Sequence, residues 1–200
     1  MEKILESLDD AGLSSPESDS DIAKAFAIIG DGEAKVIWQD GNAGACTAKV
    51  SDGRWVVTLP RQDKMVQLHE MGHVLYTSFE TNALKDKMSA QANTLLAILE
   101  DARTDTLVGE HFGEDLKGYH ADELTAEGDS EIWNEVVKLA YNKSSDLTPM
   151  GESIKEQFGA RIEEVQHSAD KWATGRLAFD IDSANPVPPT DDEPEKGDKD

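Results

Sequence analysis

The sequence predicts an α+β domain in which a small antiparallel sheet packs on two long helices, with additional helices towards the C-terminus. Three observations support this prediction. Short strand-like runs occur within residues 34–59, apolar residues change to helical spacing in residues 62–79, and helical spacing returns in residues 83–108. A chain of 200 residues is long enough for one domain with its own core.

Residues 34–38, 45–50 and 54–59 are the strand-like runs, and Pro60 ends the third. Residues 51–53, Ser-Asp-Gly, separate the last two runs. This sequence is typical of a hairpin turn, because glycine readily adopts the positive φ that such turns require. We therefore expect an antiparallel sheet.

Helical spacing of apolar residues also predicts helices at 21–29, with Ser20 as its cap, at 131–141 after Ser130, and at 151–173. Residues 109–128 are rich in glycine and acidic residues, and we expect a loop there. The predicted core comprises Trp38, Trp55, Val57, Leu68, Leu75, Leu95, Ile98, Ile162 and Val165.

Acidic segments are expected at both ends of the domain. Residues 1–20 are predicted to be a flexible acidic segment, and residues 21–180 to form the folded domain. Residues 181–200 are predicted to be a disordered acidic tail, because they contain too few apolar residues to offset the entropy lost on ordering.

The formal net charge of −22 argues against two classes of partner. Such a charge repels nucleic-acid phosphates and anionic lipid, so we expect neither nucleic-acid nor membrane binding. Cys46 is the single cysteine, so no disulfide can form within the chain. With no basic and apolar leader at the start, and no apolar run of roughly 18 residues, we expect a cytoplasmic protein.

The sequence His-Glu-Met-Gly-His at residues 69–73 predicts a zinc site. His69 and His73 are four residues apart, so a helix places both imidazoles on one face, where they can bind one zinc ion at about 2.0–2.1 Å. Zinc lowers the pKa of a bound water towards roughly 7, and the neighbouring Glu70 can accept its proton. Gly72 allows another backbone to approach closely.

A catalytic zinc needs a third protein ligand, and the second long helix offers several carboxylates. Asp101 and Asp105 are four residues apart and share a helix face, so one can bind zinc while the other holds a ligand histidine by its second N–H. Glu100 is the rival third ligand. His120 or Tyr119 could stabilise the oxyanion of the transition state.

The two motifs together resemble a known family. Residues 68–77, LHEMGHVLYT, are followed at 93–105 by NTLLAILEDARTD. This pair is similar to the N-terminal metallopeptidase-like domain of cobaltochelatase T-subunit-like proteins, many of which are encoded by bacteriophages. The resemblance covers roughly residues 30–110, and Asp105 stands where the family usually has glutamate.

The resemblance implies a zincin-like fold and a zinc-dependent peptidase, a hydrolase that acts on a protein or peptide substrate in the cytoplasm, or in the host cytoplasm for a phage protein. The gluzincin pattern Asn-Glu-x-x-x-Asp, laid on residues 100–105, implies Asp101 as third ligand and Asp105 as the partner of a ligand histidine. Glu70 would be the general base. We expect residues 54–59 to offer a sheet edge for an extended substrate.

Two alternatives remain open. Relatives often carry a von Willebrand A domain, whose Asp-x-Ser-x-Ser motif does not occur in these 200 residues. The chain can therefore also be interpreted as a non-catalytic zinc-binding adaptor that works with an AAA+ or von Willebrand A partner. The third interpretation is a metal-free acidic mimic of nucleic acid, suggested by the net charge of −22.

Overall fold

The computed structural model describes residues 2–13, 16–30, 34–40, 45–49, 55–77, 87–123 and 130–186. These ranges contain eight α-helices, one short 3-10 helix at Ser144–Asp146 and three β-strands. The strands are β1 (Ala34–Gln39), β2 (Cys46–Lys49) and β3 (Trp55–Pro60). The helices are α1 (Glu2–Asp10), α2 (Asp19–Ile29), α3 (Lys64–Tyr76), α4 (Ala90–Phe112), α5 (Leu116–Glu123), α6 (Glu131–Ala140), α7 (Pro149–Gln166) and α8 (Ala173–Ala184). The α+β class is therefore confirmed.

The sheet has the order β1-β3-β2 and is mixed. β2 pairs antiparallel with β3, whereas β1 pairs parallel with β3. The prediction of an antiparallel sheet is therefore wrong for the β1–β3 pair. β1 and β3 run in the same direction, and β1 pairs with β3 because β3 lies between β1 and β2. The predicted hairpin turn at 51–53 lies outside the described residues.

β3 is the central strand, and its side chains alternate between the core and the other face of the sheet. Val57 and Leu59 are fully buried and pack into the same apolar cluster as Leu68 of α3. Because both edges of β3 are paired, its residues 55–59 cannot receive a substrate strand, and that expectation is wrong for them. Residue 54 lies outside the described residues. Trp38 and Trp55, predicted to be core residues, are only half-buried.

Helix α2 begins two residues earlier than predicted, because Ser18 and not Ser20 caps it by accepting a hydrogen bond from the backbone N–H of Asp21. Asp63 caps α3 in the same way through the N–H of Val66. Leu8 at the end of α1 is fully buried, which differs from the flexible segment expected for residues 1–20.

The predicted loop at 109–128 is largely helical. α4 continues to Phe112, which is buried together with Val108 one turn earlier, and it ends at Gly113 with φ +71°. α5 follows, while residues 124–129 lie outside the described part of the chain. Gly109 suits this tight corner, since a Cβ there would overlap the carbonyl oxygen of Glu114.

The C-terminal region also differs from prediction. The helix expected at 151–173 ends at Gln166, and a second helix, α8, follows after a short break. α8 buries Leu177 and Ile181 against the C-terminal core, so the structured part extends past residue 180. The remaining part of the expected tail, 187–200, lies outside the described residues.

Two apolar clusters make up the core. One joins α1, α2 and α3 to the sheet, and the other joins α6, α7 and α8. α4 contributes to both, with Leu95 and Leu99 in the second and Val108 and Phe112 in the first. The predicted core residues Val57, Leu68, Leu75, Leu95, Ile98, Ile162 and Val165 are all buried. In the described ranges, no helix combines the length and apolar character needed to cross a bilayer.

Candidate metal centre

Helices α3 and α4 pack side by side and run antiparallel. His69 of α3 lies beside Asp105 of α4. His73, one turn further along α3, lies beside Asp101, which is one turn before Asp105 in α4. Gly72 faces α4 so closely that a Cβ there would overlap the methyl groups of Thr104 and Val108. The expectation of a close approach at Gly72 is therefore met by side chains of α4, and not by its backbone.

Three potential ligand atoms converge between the two helices. Nε2 of His69 lies 3.1 Å from Nε2 of His73, which in turn lies 3.4 Å from Oδ1 of Asp101. The ligand atoms of all three residues lie within 4.8 Å of one another. In a tetrahedral site with bonds of about 2.0–2.1 Å, ligand atoms are roughly 3.3 Å apart. The two separations that involve His73 are therefore close to those around one metal ion.

The cluster opens to solvent on one side. The side chain of Asp101 is 40% exposed, and those of His69 and His73 are 16% and 19% exposed. A cation can therefore reach the three side chains without unfolding of the helices. The two imidazole rings are almost perpendicular, at 89°, which lets both Nε2 atoms face a common point.

Behind His69, the fully buried carboxylate of Asp105 accepts three hydrogen bonds. Oδ1 accepts from Nδ1 of His69 at 2.7 Å, and Oδ2 accepts from Nδ1 of His120 at 2.8 Å and from the hydroxyl of Tyr141 at 3.2 Å. Burial by itself would raise the pKa of Asp105, but the hydrogen bonds from His120 and His69 outweigh it and lower the pKa to about 2. An ionised carboxylate only accepts hydrogen bonds, so Nδ1 of His69 carries a proton and its Nε2 is left as the ligand atom.

His73 has a different environment. Its Nδ1 lies 2.9 Å from the hydroxyl oxygen of Thr77, the residue that ends α3. Burial lowers the pKa of His73, but its hydrogen bond to Asp101 and the negative charges of Asp101, Glu70 and Glu100 outweigh burial, so the pKa is raised. A cation at this point would replace the proton that the carboxylates favour.

Glu100, the rival third ligand, lies in a separate buried ion pair. Its two oxygens accept hydrogen bonds from Arg103 at 2.6 and 3.0 Å, and one also accepts from the hydroxyl of Thr174 at 2.8 Å. Arg103 donates further to the carbonyl oxygens of Tyr76 and Ser168. The structure thus places Asp101, and not Glu100, beside the two histidines.

Glu70, the predicted general base, is buried on α3, with 6% of the residue exposed. Its negative charge is among the causes that raise the pKa of His73. The peptide bond to His69 keeps its position relative to that ligand histidine constant within the helix.

Two residues of the site were underestimated or missed by sequence reasoning. The sequence predicts His120 to lie in a loop, as one of two residues that could stabilise the oxyanion, but α5 brings its ring to 4.7 Å from that of His69, centroid to centroid. Tyr141 was not considered, because a tyrosine at a helix end has no local feature that points to a site 36 residues away. Tyr119 donates to Asp63 at 3.4 Å, at the start of α3.

Comparison with known proteins adds no assignment. No family model, no curated protein and no solved structure matches this chain. The function is therefore inferred from the residues of the cluster and their geometry. Two imidazoles, a carboxylate, a buried orienting aspartate and a neighbouring glutamate form a set that can hold a cation and accept a proton beside it.

Proposed function

We propose that this protein is a zinc-dependent metallopeptidase in which His69, His73 and Asp101 hold the metal. The observation that carries the proposal is the convergence of these three ligand atoms from two antiparallel helices at 3.1 and 3.4 Å. Two imidazoles and one carboxylate are a donor set that favours zinc over calcium or magnesium, which prefer oxygen ligands throughout. Three protein ligands leave one position for substrate and water.

When bound, zinc polarises a carbonyl oxygen and makes water acidic enough to lose a proton near pH 7. Glu70 would accept that proton as the water oxygen adds to the carbonyl carbon of the scissile peptide bond, and would return it to the leaving nitrogen as the carbon–nitrogen bond breaks. The second proton of the water would also pass to the leaving nitrogen. The products would then be a carboxylate and an ammonium group, so atoms and charge balance.

The surrounding side chains orient the ligands. Asp105 keeps His69 in the tautomer whose Nε2 faces the metal position, and Thr77 contacts the other ring nitrogen of His73. His120 is anchored on the same aspartate, and its ring lies beside that of His69.

An extended peptide is the substrate class that suits this arrangement. Since β3 is internal, the sheet edges among the described residues belong to β1 and β2, and β2 contacts α3. An unfolded segment would pair with the outer edge of β2, the strand edge that lies next to α3.

The test combines metal analysis with hydrolysis of an unstructured protein such as reduced, alkylated casein. We expect one zinc per chain, hydrolysis that stops in chelator and returns with zinc, and a loss of about 10²–10⁴-fold in Glu70→Gln with zinc retained. Glu110→Gln is the matched control, because Glu110 is an exposed glutamate paired with His167.

Two outcomes would contradict the proposal. An intact protein that takes up no zinc would remove its basis. Stoichiometric zinc without hydrolysis, and with Glu70→Gln indistinguishable from the unmodified protein, would instead support an adaptor that works with an AAA+ or von Willebrand A partner.

A further inference from the structure

Tyr141 links the C-terminal core to the metal cluster. It directly follows α6, is buried within the apolar cluster of α6, α7 and α8, and lies 36 residues from Asp105 in sequence. Its hydroxyl donates to Oδ2 of Asp105 at 3.2 Å. Burial, together with the negative charge of Asp105, raises the pKa of Tyr141 far above its usual range, so the hydroxyl remains a donor at every working pH.

The donors to Asp105 come from three different elements. His69 on α3 binds Oδ1, whereas His120 on α5 and Tyr141 after α6 both bind Oδ2. A carboxylate turns easily about its final side-chain torsion, because that torsion has a broad energy minimum. Donors on both oxygens, approaching from different helices, fix the plane of the carboxylate.

That plane determines how His69 is held. Oδ1 must point along the Nδ1–H direction of His69 for Nε2 to face His73 at 3.1 Å. Without the tyrosine hydroxyl, Oδ2 would keep only the bond from His120, whose side chain is 14% exposed. The buried carboxylate would also lose one of three hydrogen bonds that compensate for its burial.

We propose that Tyr141 is a positioning residue of the metal site, whose hydroxyl fixes the Asp105 carboxylate in the orientation that presents His69 to the metal. This inference rests on the metal-binding part of the proposed function. It assigns to the C-terminal helices a role in metal affinity, although none of them supplies a ligand.

Tyr141→Phe tests the inference because it keeps the ring and removes only the hydroxyl. Tyr76→Phe is the matched control, since Tyr76 is also a buried tyrosine, at the end of α3, and is not among the donors to Asp105. For each protein, three quantities are measured. They are the zinc dissociation constant by competition with a chromogenic chelator, the visible spectrum of the cobalt(II) form, and the thermal midpoint of the metal-free protein.

We expect Tyr141→Phe to bind zinc about tenfold more weakly, at the lower end of the range for partners of ligand residues. We also expect its cobalt spectrum to change, whereas Tyr76→Phe keeps the affinity and spectrum of the unmodified protein. A lower midpoint of metal-free Tyr141→Phe with unchanged zinc affinity and spectrum would show a merely structural role and overturn the inference.

A double-mutant cycle covers the case in which Tyr141→Phe lowers stability as well. On an Asp105→Asn background, removal of the tyrosine hydroxyl should cause no further loss of zinc affinity, because the group it orients has changed. Full additivity of the two losses would contradict the inference. If the unmodified protein binds no zinc, the proposed function itself fails, whereas zinc binding with no effect at Tyr141 removes this inference alone.

Discussion

Gly72 on α3 lies against Thr104 on α4 with no room for a side chain between them, since a Cβ on residue 72 would overlap the threonine methyl group. This contact sets the distance between the two helices. At that distance the carboxylate of Asp105 reaches His69, and the carboxylate of Asp101 reaches His73. The two pairs are about one helical turn apart. The candidate metal cluster therefore depends on a residue that has no side-chain functional group.

Gly72→Ala should push α3 and α4 apart. We expect a loss of about 1–3 kcal/mol in the free energy of unfolding and a zinc affinity reduced by at least about tenfold. Denaturant unfolding and chelator competition measure the two effects. Gly159→Ala on α7 is the control, because a Cβ there meets only Lys155 at an ordinary 3.5 Å, and we expect it to be stabilising by about 0.5–1 kcal/mol. Unchanged zinc affinity in Gly72→Ala would contradict the importance of this contact.

Asp101→Asn should lower the zinc affinity, whereas Glu100→Gln should lower the free energy of unfolding. Asp101→Asn removes a charged ligand from a side chain that is 40% exposed, so we expect at least about 100-fold weaker zinc binding and little change in metal-free stability. Glu100→Gln leaves Arg103 buried with its charge uncompensated, so we expect a loss of about 3 kcal/mol with zinc affinity of the folded protein retained. Urea unfolding in chelator and zinc competition distinguish them. A larger loss of zinc affinity in Glu100→Gln would reverse our assignment of the third ligand.

Zinc binding should weaken as the pH falls towards the pKa of His73. In the metal-free protein this pKa is raised above 6.5 by Asp101 and the nearby glutamates, so protons compete with zinc from a higher pH than for an ordinary histidine. The stability of the metal-free protein changes with pH in the opposite direction. The contribution of protonated His73 is complete below 6.5 and is lost as the pH rises through the raised value.

Zinc competition and urea unfolding at a series of pH values between about 5.5 and 8.5 test both statements. In Asp101→Asn, which removes the largest cause that raises the pKa of His73, the pH dependence of metal-free stability in this window should shrink. A zinc affinity that does not change with pH over the same range would show that no histidine proton is displaced.

Acid should destabilise the metal-free protein through Asp105. Its folded-state pKa of about 2 lies below the ordinary value of 3.8, so its contribution is complete above 3.8 and is lost as the pH falls towards 2. The difference corresponds to roughly 2 kcal/mol. Urea midpoints of the metal-free protein between about pH 5 and 2 should fall more steeply than those of Asp105→Asn. Parallel curves for the two proteins would contradict the lowered pKa.

The spacing of residues along the chain is enough to predict features that depend only on neighbours in sequence. The four-residue separation of His69 and His73 predicted a shared helix face, because 3.6 residues complete one turn whatever the rest of the chain does. The same holds for the cap at Ser130 and for the buried apolar residues at helical spacing, such as Leu95 and Ile98. Gly72 also indicated a close approach without naming the partner.

Contacts between distant segments decided the rest. Whether β1 runs parallel to β3, whether Glu100 or Asp101 faces the histidines, and whether Tyr141 reaches Asp105 all depend on how separate elements pack. Glu100 and Asp101 are adjacent and both carry a carboxylate, but adjacent side chains point about 100° apart around a helix. The rotation of α4 against α3 directs Asp101 to His73 and Glu100 to Arg103, and that rotation is a property of the packed core and not of local spacing.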